Sequence, residues 1–413
     1  MEMNDIQKKF ALANELVNDT SIFNIGELIY IEKIKDVNAF IRSINYVMNK
    51  SNDFKRIYDP YNGRFKYILN REVVVEVNEL DTDNILKIAN LESKNKINIP
   101  LNIKQGEVIK HSIYCNSTGE CVWVIIAHHI AVDYNGLNNL ITDVLSYDQT
   151  KDELNIDSPE GEKKRLTTTL FINKENKAIA YWNDYFNKIN NEVYFMLKLP
   201  KKALKISRSV KLKKKPFELE DKMYFIMAFA ILEFLEMYHF IDDPVINIPF
   251  SNRLVGNFHK YEATINIFPL IVKLNSHAKI ENLLKLIIDD LHKHSRYSSV
   301  DITKLTEQTQ LKIRKLSTVP YINIVHEVNK IYPKMGLIKQ LCISSGAINN
   351  YGITVRINDS HNIVTIEIDY AEEVFVKRRA ITLLDRFVDI YLWLLDNKTC
   401  NLQDLFEDMD YFK

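Results

Sequence analysis

Missing from this 413-residue chain is any surplus of charge: Lys and Arg together number 54, as do Asp and Glu. A nucleic-acid role resting on overall basicity is thereby excluded, though a local basic patch is not. Cysteine is scarce as well. The four present (Cys115, Cys121, Cys342, Cys400) have no metal-ligand spacing and are too few for a disulfide framework in a chain of this length. They are expected to be free thiols, buried or superficial, in a reducing compartment. The N-terminus, MEMNDIQKKFALANEL, has no basic-then-apolar leader. No apolar run reaches the ~20 residues needed to span a bilayer. The most apolar stretch, MYFIMAFAILEFLEMY (223–238), carries Glu233 and Glu236 and reads as a core helix. The expected location is therefore the cytoplasm. Also absent is a Gly-x-Ser-x-Gly nucleophile elbow, and no cysteine sits in a nucleophile's context.

What is present is a globular composition, 46% hydrophobic and 26% charged. The length exceeds one ordinary core and predicts two domains, or two lobes sharing an interface. In the first half, LIYIEKI (28–34) is a strand candidate. Phe40, Ile41, Ile44 and Val47 have helical spacing within 37–47. Residues 56–69 read as a hairpin turning at Asp59-Pro60 and Asn62-Gly63. Residues 121–130 are apolar on both faces, as at the centre of a sheet. After Gly136, the stripe Leu137, Leu140, Ile141, Val144, Leu145 predicts a helix. The polar stretch 146–168 is the best candidate linker or surface loop.

The second half repeats this style. A helix is expected around 178–186 and strands at 245–250, 264–274, 321–328, 351–357 and 362–370. Further helices follow from Leu284, Ile287, Ile288 and Leu291 and over 375–395. The basic run KKALKISRSVKLKKK (201–215) reads as a lysine-guarded edge strand, the alternative being a docking face for an acidic partner. No close sequence repeat is visible, but each half reads as a sheet with helices.

The candidate chemistry lies in VIIAHHIAVDYNGLNNL (124–140). A single histidine beside an apolar strand is usually structural. Two adjacent ones point to opposite sides if the strand continues. One can then orient the turn while the other faces a cleft, suited to moving a proton near neutral pH. A buried Asp133 would need a cationic or hydrogen-bonding partner. Zinc is poorly served by a histidine pair and one aspartate.

HHIAVD resembles the HHxxxDG signature of the chloramphenicol-acetyltransferase-like superfamily, and within it the condensation domains of nonribosomal peptide synthetases. INIPFSNR (246–253) looks like the family's later strand that ends in a glycine-arginine pair, here Asn252-Arg253. NIFPLIV (266–272) looks like its Asn-x-x-Pro-Leu segment, and AYWNDYF (180–186) like the Tyr-Trp that opens the second lobe. The helix at IQKKFALANEL fits loosely. The four motifs keep their order over essentially the whole chain.

The resemblance implies an α/β fold of two similar chloramphenicol-acetyltransferase-like lobes, 1–175 and 176–413, forming a V-shaped pseudo-dimer with an interface tunnel. It implies amide formation by attack of an amine on an acyl thioester. The partners would be acyl or peptidyl carrier proteins bearing phosphopantetheine arms, with a soluble amine as a possible acceptor. No intrinsic cofactor or metal, no nucleic acid and no membrane is expected, and a monomer suffices. His129 would be catalytic. His128 and Asp133 would be structural, with Asp133 paired to Arg253. Tyr134, Gly136 and Asn266 would line the tunnel.

The chain departs from the family at Tyr134, where the signature has glycine. It departs again at SNDFKRIY (51–58), where Lys55 and Arg56 are the nearest basic residues to the usual His-x-x-Leu-Arg. O-acyl transfer from coenzyme A or a carrier, and a carrier-binding homologue without turnover, stay open as alternatives.

Overall fold

The computed structural model describes residues 3, 5–17, 19–51, 53–67, 73–147, 169–189, 203–212, 219–236, 243–251, 261–300, 304–316, 319–327, 329–332, 335–344, 351–358, 362–372 and 375–409. The elements of the first half are α1 (Asp5–Leu16), β1 (Asn24–Ile31), α2 (Val37–Lys50), β2 (Arg56–Asp59), β3 (Arg64–Tyr67), β4 (Val75–Glu79), α3 (Ile85–Lys96), β5 (Ile109–Cys115), β6 (Cys121–His128) and α4 (Tyr134–Ser146). Then come α5 (Thr169–Asn187), β7 (Ala203–Lys211), α6 (Leu219–Glu236), β8 (Val245–Ser251), β9 (Ile265–Ile271), α7 (Ile280–Tyr297) and α8 (Glu307–Leu316). The chain closes with β10 (Tyr321–Glu327), β11 (Asn329–Tyr332), β12 (Gly336–Ser344), β13 (Tyr351–Asn358), β14 (Ile363–Ala371), α9 (Lys377–Asp396) and α10 (Leu402–Asp408). Among the described residues, no helix is long and apolar enough to cross a membrane.

The chain divides into two compact units. One comprises Met1–Thr167, Arg253–Ile265 and Glu327–Ser345; the other comprises Thr168–Asn252, Asn266–His326 and Gly346–Lys413. The division differs from a single cut at 175/176, because two late segments group with the first unit. Strand β12 is the clearest reason: it pairs antiparallel with β1, from Ile25↔Ser344 to Ile31↔Ile338.

The first unit holds a six-stranded sheet in the order β11-β12-β1-β6-β5-β4. Strand β6 is buried along its whole length. Its alternation explains why. Trp123, Ile125 and Ala127 join one core with residues of α2 and α4, while Val122, Val124 and Ile126 join another with residues of α3. Helix α2 is N-capped by Asp36, whose side chain accepts from the Ala39 N–H. The 56–69 hairpin is present as β2 and β3, joined through a turn with Gly63 at φ +57.

Cys115 and Cys121 form a disulfide, which corrects the expectation of thiols for that pair. Antiparallel pairing of β5 with β6 sets the two residues directly opposite each other, with Cα atoms 4.2 Å apart. Cys400 is a free thiol.

The second unit holds another six-stranded sheet, β7-β14-β13-β10-β8-β9. Val364, Ile366, Ile368 and Tyr370 of β14 and Ile353, Val355 and Ile357 of β13 pack in a core shared with α6 and α9. The opposite face is polar: Arg356 pairs with Glu367, and Tyr321 donates to Asp369 at 3.0 Å. The basic segment forms β7, an edge strand as expected. Two of its charges are met within the unit: Lys205 pairs with Glu367 and Asp369, and Arg208 with Asp385. The proposed linker lies outside the described residues from 148 to 168.

Candidate functional site

Strand β6 stops at His128, and 129–131 form a turn. The two histidines therefore do not alternate across a continuing strand. Both rings meet α1, on positions one helical turn apart. His128 Nε2 lies 3.2 Å from Asn14 Oδ1, and the His129 ring stacks on Phe10 with centroids 4.8 Å apart and planes 10° apart. Ile130 and Ala131 of the turn share a small core with Met3 and Ala11 at the chain's start and with Tyr58 and Phe65 of the hairpin. The backbone is pinned on either side: His128 N–H donates to the Val108 carbonyl and His129 N–H to the Phe23 carbonyl, each at 2.9 Å.

His128 is fully buried, and both its nitrogens are engaged. Nδ1 accepts from the Ile130 N–H at 3.0 Å, so the proton sits on Nε2, aimed at Asn14. Burial, and secondarily the neighbouring His129, push its pKa down to about 3. It is a neutral, fixed ring.

His129 is half-buried. Its Nδ1 is buried and makes no hydrogen bond of full geometry. Burial lowers its pKa below the ordinary histidine range; the Asp133 charge and the carbonyls of His129 itself and Val132 act the other way. The ring is neutral at neutral pH and able to accept a proton.

Asp133 is buried and caps α4. Its side chain accepts from the Gly136 N–H at 2.8 Å, the usual geometry of an aspartate N-cap. Its other oxygen accepts from the Thr264 N–H at 2.9 Å and the Thr264 hydroxyl at 3.2 Å. The Asp133–Arg253 pair falls outside the described residues, because Arg253 does. Around Thr264 the chain is stapled down repeatedly. Tyr261 N–H donates to Asp53 at 3.3 Å, and its hydroxyl donates to Asp143 at 2.5 Å. Arg56, only 4% exposed, pairs with Asp53 at 2.6 Å and Glu262 at 3.6 Å.

Tyr134 is the first residue of α4 and half-buried, and its φ is not positive. The tyrosine thus occupies an ordinary helical position where no glycine is needed. Close approach falls instead at Gly136, inside the first turn. A Cβ there would lie 2.1 Å from the Tyr261 carbonyl oxygen. Asn266 belongs to the second unit, where it is buried and donates to the Ser298 carbonyl at 3.0 Å. His128, His129, Asp133, Tyr134 and Gly136 are thus brought together in one turn.

Sequence reasoning missed Thr264, Phe10 and Asn14. The Asp133 cap had a signal, an aspartate directly before a helical apolar stripe. Thr264 had none. No cluster of three or more His, Cys, Asp or Glu able to hold a metal ion occurs among the described residues.

The Condensation domain family model matches residues 1–406. None of the curated proteins compared matches the sequence. Among solved structures, the chain is similar to a variant of the starter condensation domain of rhizomide synthetase in complex with C8-CoA. The TM-score is 0.81 at 14% identity, over 97% of this chain and 96% of that one. A further variant, with C8-CoA and Leu-SNAC, gives 0.81 at 14% identity over 96% and 95%. The first condensation domain of the calcium-dependent antibiotic synthetase, with a substrate analogue, gives 0.74 at 14% over 98% of both chains. At such identity the likeness shows the fold.

Proposed function

The chain belongs to the condensation-domain family, and from that premise we propose that it joins an amine to an acyl thioester to make an amide. The observation that carries this reading is the neutral, half-buried His129 ring just past the end of β6, with Nδ1 enclosed and without a full hydrogen bond. Only Nδ1 can reach the residue's own carbonyl, so a proton there leaves the Nε2 lone pair free. The amine nitrogen forms the C–N bond and the C–S bond breaks. The proton shed by nitrogen passes to His129 Nε2 and ends on the departing thiolate, which leaves as the thiol. A thioester is already activated, so alignment of the two reactants supplies much of the remaining rate. His128 and Asp133 hold the turn, one through Asn14 and Ile130, the other through Gly136 and Thr264.

The donor is an acyl group on a phosphopantetheine thiol, carried by a protein. The rhizomide synthetase starter domain was seen with C8-CoA and with C8-CoA and Leu-SNAC, which supports thioesters as substrates here. The test supplies acyl-loaded carrier proteins or acyl-CoA with amines and follows the amide by mass spectrometry. Product that depends on His129 supports the reading. Ester formation with alcohols and none with amines would replace it with O-acyl transfer, and no turnover with any donor would leave a carrier-binding homologue.

A further inference from the structure

A cavity of about 510 Å³ lies in the first unit, at the start of β5. Strand β4 pairs with β5 only from Val75↔His111 onward. Ile109 and Lys110, the first two residues of β5, therefore have no β4 partner. The gap is walled by Met48 at the end of α2, by Phe54, and by Val124 and Ile126 of β6. The volume falls within the range that holds small molecules.

Two polar groups in this wall are unmatched. His111 is 2% exposed, and its Nδ1 accepts from the Trp123 indole N–H at 3.2 Å. A neutral ring accepting at Nδ1 carries its proton on Nε2. That Nε2 is buried and meets no hydrogen-bond acceptor, an uncommon and costly condition. The second group is Lys55. Three lysines line the cavity. Lys96 pairs with Glu76 at 2.6 Å and Lys110 with Glu107 at 3.7 Å, whereas Lys55, half-buried, has no ion pair among the described residues. An apolar part of the wall (Met48, Phe54, Val73, Ile109) and one spare cation together specify an occupant.

We propose that this cavity binds a small molecule with an apolar body and a single carboxylate, the carboxylate meeting Lys55 Nζ. The site is separate from the acyl-transfer reading and stands without it. Its link to that reading is mechanical: Ile109 pairs with Ala127, and the Val108 carbonyl holds the His128 N–H. An occupant would therefore brace the strand end that carries the histidine turn.

The probe is octanoate, titrated calorimetrically into the full chain, with octanamide as the uncharged comparison. Saturable octanoate binding is expected, with Lys55→Gln weakening it about tenfold while leaving octanamide binding unchanged. Octanoate should also shift the Trp123 indole and His111 imidazole signals in ¹⁵N spectra, which needs no variant at the buried histidine. His129→Ala should bind octanoate as the parent does, separating this cavity from the reacting centre. Absence of saturable binding, equal loss of octanoate and octanamide in Lys55→Gln, or binding lost with His129 would each overturn the proposal.

Discussion

His129 in the first unit and His294 in the second sit in opposite circumstances. His294, on α7, is completely buried. Its Nε2 meets the Pro269 carbonyl at 3.2 Å and its Nδ1 the Tyr181 hydroxyl at 2.9 Å. Trp182 and Tyr185 set their ring planes nearly perpendicular to it. Every polar atom of that ring is spoken for. His129 instead stacks on one phenylalanine and keeps its buried Nδ1 without a full hydrogen bond. Burial lowers both pKa values, so titration alone does not separate them. Partner count does. The His294 ring fills its hydrogen bonds, whereas on the proposed mechanism His129 keeps a lone pair for a substrate.

The sharpest way to break this contrast is to truncate each ring. His129→Ala is expected to lower amide formation by about 10²–10⁴-fold, the usual worth of a general base, with little change in Tm. A variant that turns over at the parental rate would sink the assignment. His294→Ala should do the reverse. Leaving the Tyr181 hydroxyl and its aromatic cage unfilled should cost about 2–4 kcal/mol of stability, read from denaturant unfolding, with the rate per folded molecule preserved.

Acid should expose the same contrast. Burial holds His111 and His128 at about 3 and His294 at about 4, below the 6.5 of an unfolded histidine. Between those limits the unfolded chain binds more protons. Stability is therefore full above about pH 6.5 and is lost as pH falls toward 3–4, by up to about 1.4 kcal/mol per pH unit for each ring. His294→Phe should flatten that slope in unfolding curves taken from pH 7 to pH 4.5. A slope as steep as the parent's would mean that this ring does not enter the fold neutral. On the proposed mechanism, the lowered His129 pKa is expected to place the acid limb of the rate profile below 6.5, with activity falling as pH falls through it.

Smaller effects test the turn. Asp133→Ala removes a helix cap and the acceptor for two Thr264 donors, and about 1–3 kcal/mol of stability should go with them. Activity should fall alongside Tm; activity lost at unchanged Tm would give the aspartate a direct part in the reaction. Tyr134→Gly is expected to cost up to about 1 kcal/mol, the helix penalty of glycine. Gly136→Ala should cost more, because its methyl group has no room beneath the Tyr261 carbonyl. The opposite ranking by thermal melting would return the special conformation to position 134.

Much of this could be read from the residues in advance. Strand β6 was legible because eight consecutive buried positions need helices on both faces, and α4 because its stripe has clean helical spacing. The motif turn and its aspartate were legible for the same reason: their determinants are neighbours in sequence. Thr264 lies 131 residues from Asp133, and no local pattern marks it as a partner. Strand β12, GLIKQLCIS, mixes polar and apolar residues, and its mate β1 is about three hundred residues away. The Cys115–Cys121 bridge had a faint sign. Asn116-Ser117-Thr118-Gly119 between two strands is a tight turn, and a tight turn sets its flanking residues opposite each other.

The return of β12 also matters for how the chain is made. A ribosome that has finished residue 175 has not finished the first unit. The flank of β1 from Ile25 to Ile31 stays bare until residues 338–344 emerge. An unpaired strand edge invites wrong partners. During synthesis the nascent protein must therefore shield that edge through most of its elongation. A gene cut at the apparent midpoint would yield a fragment in which the strand next to β6, and to the histidines at its end, is permanently exposed.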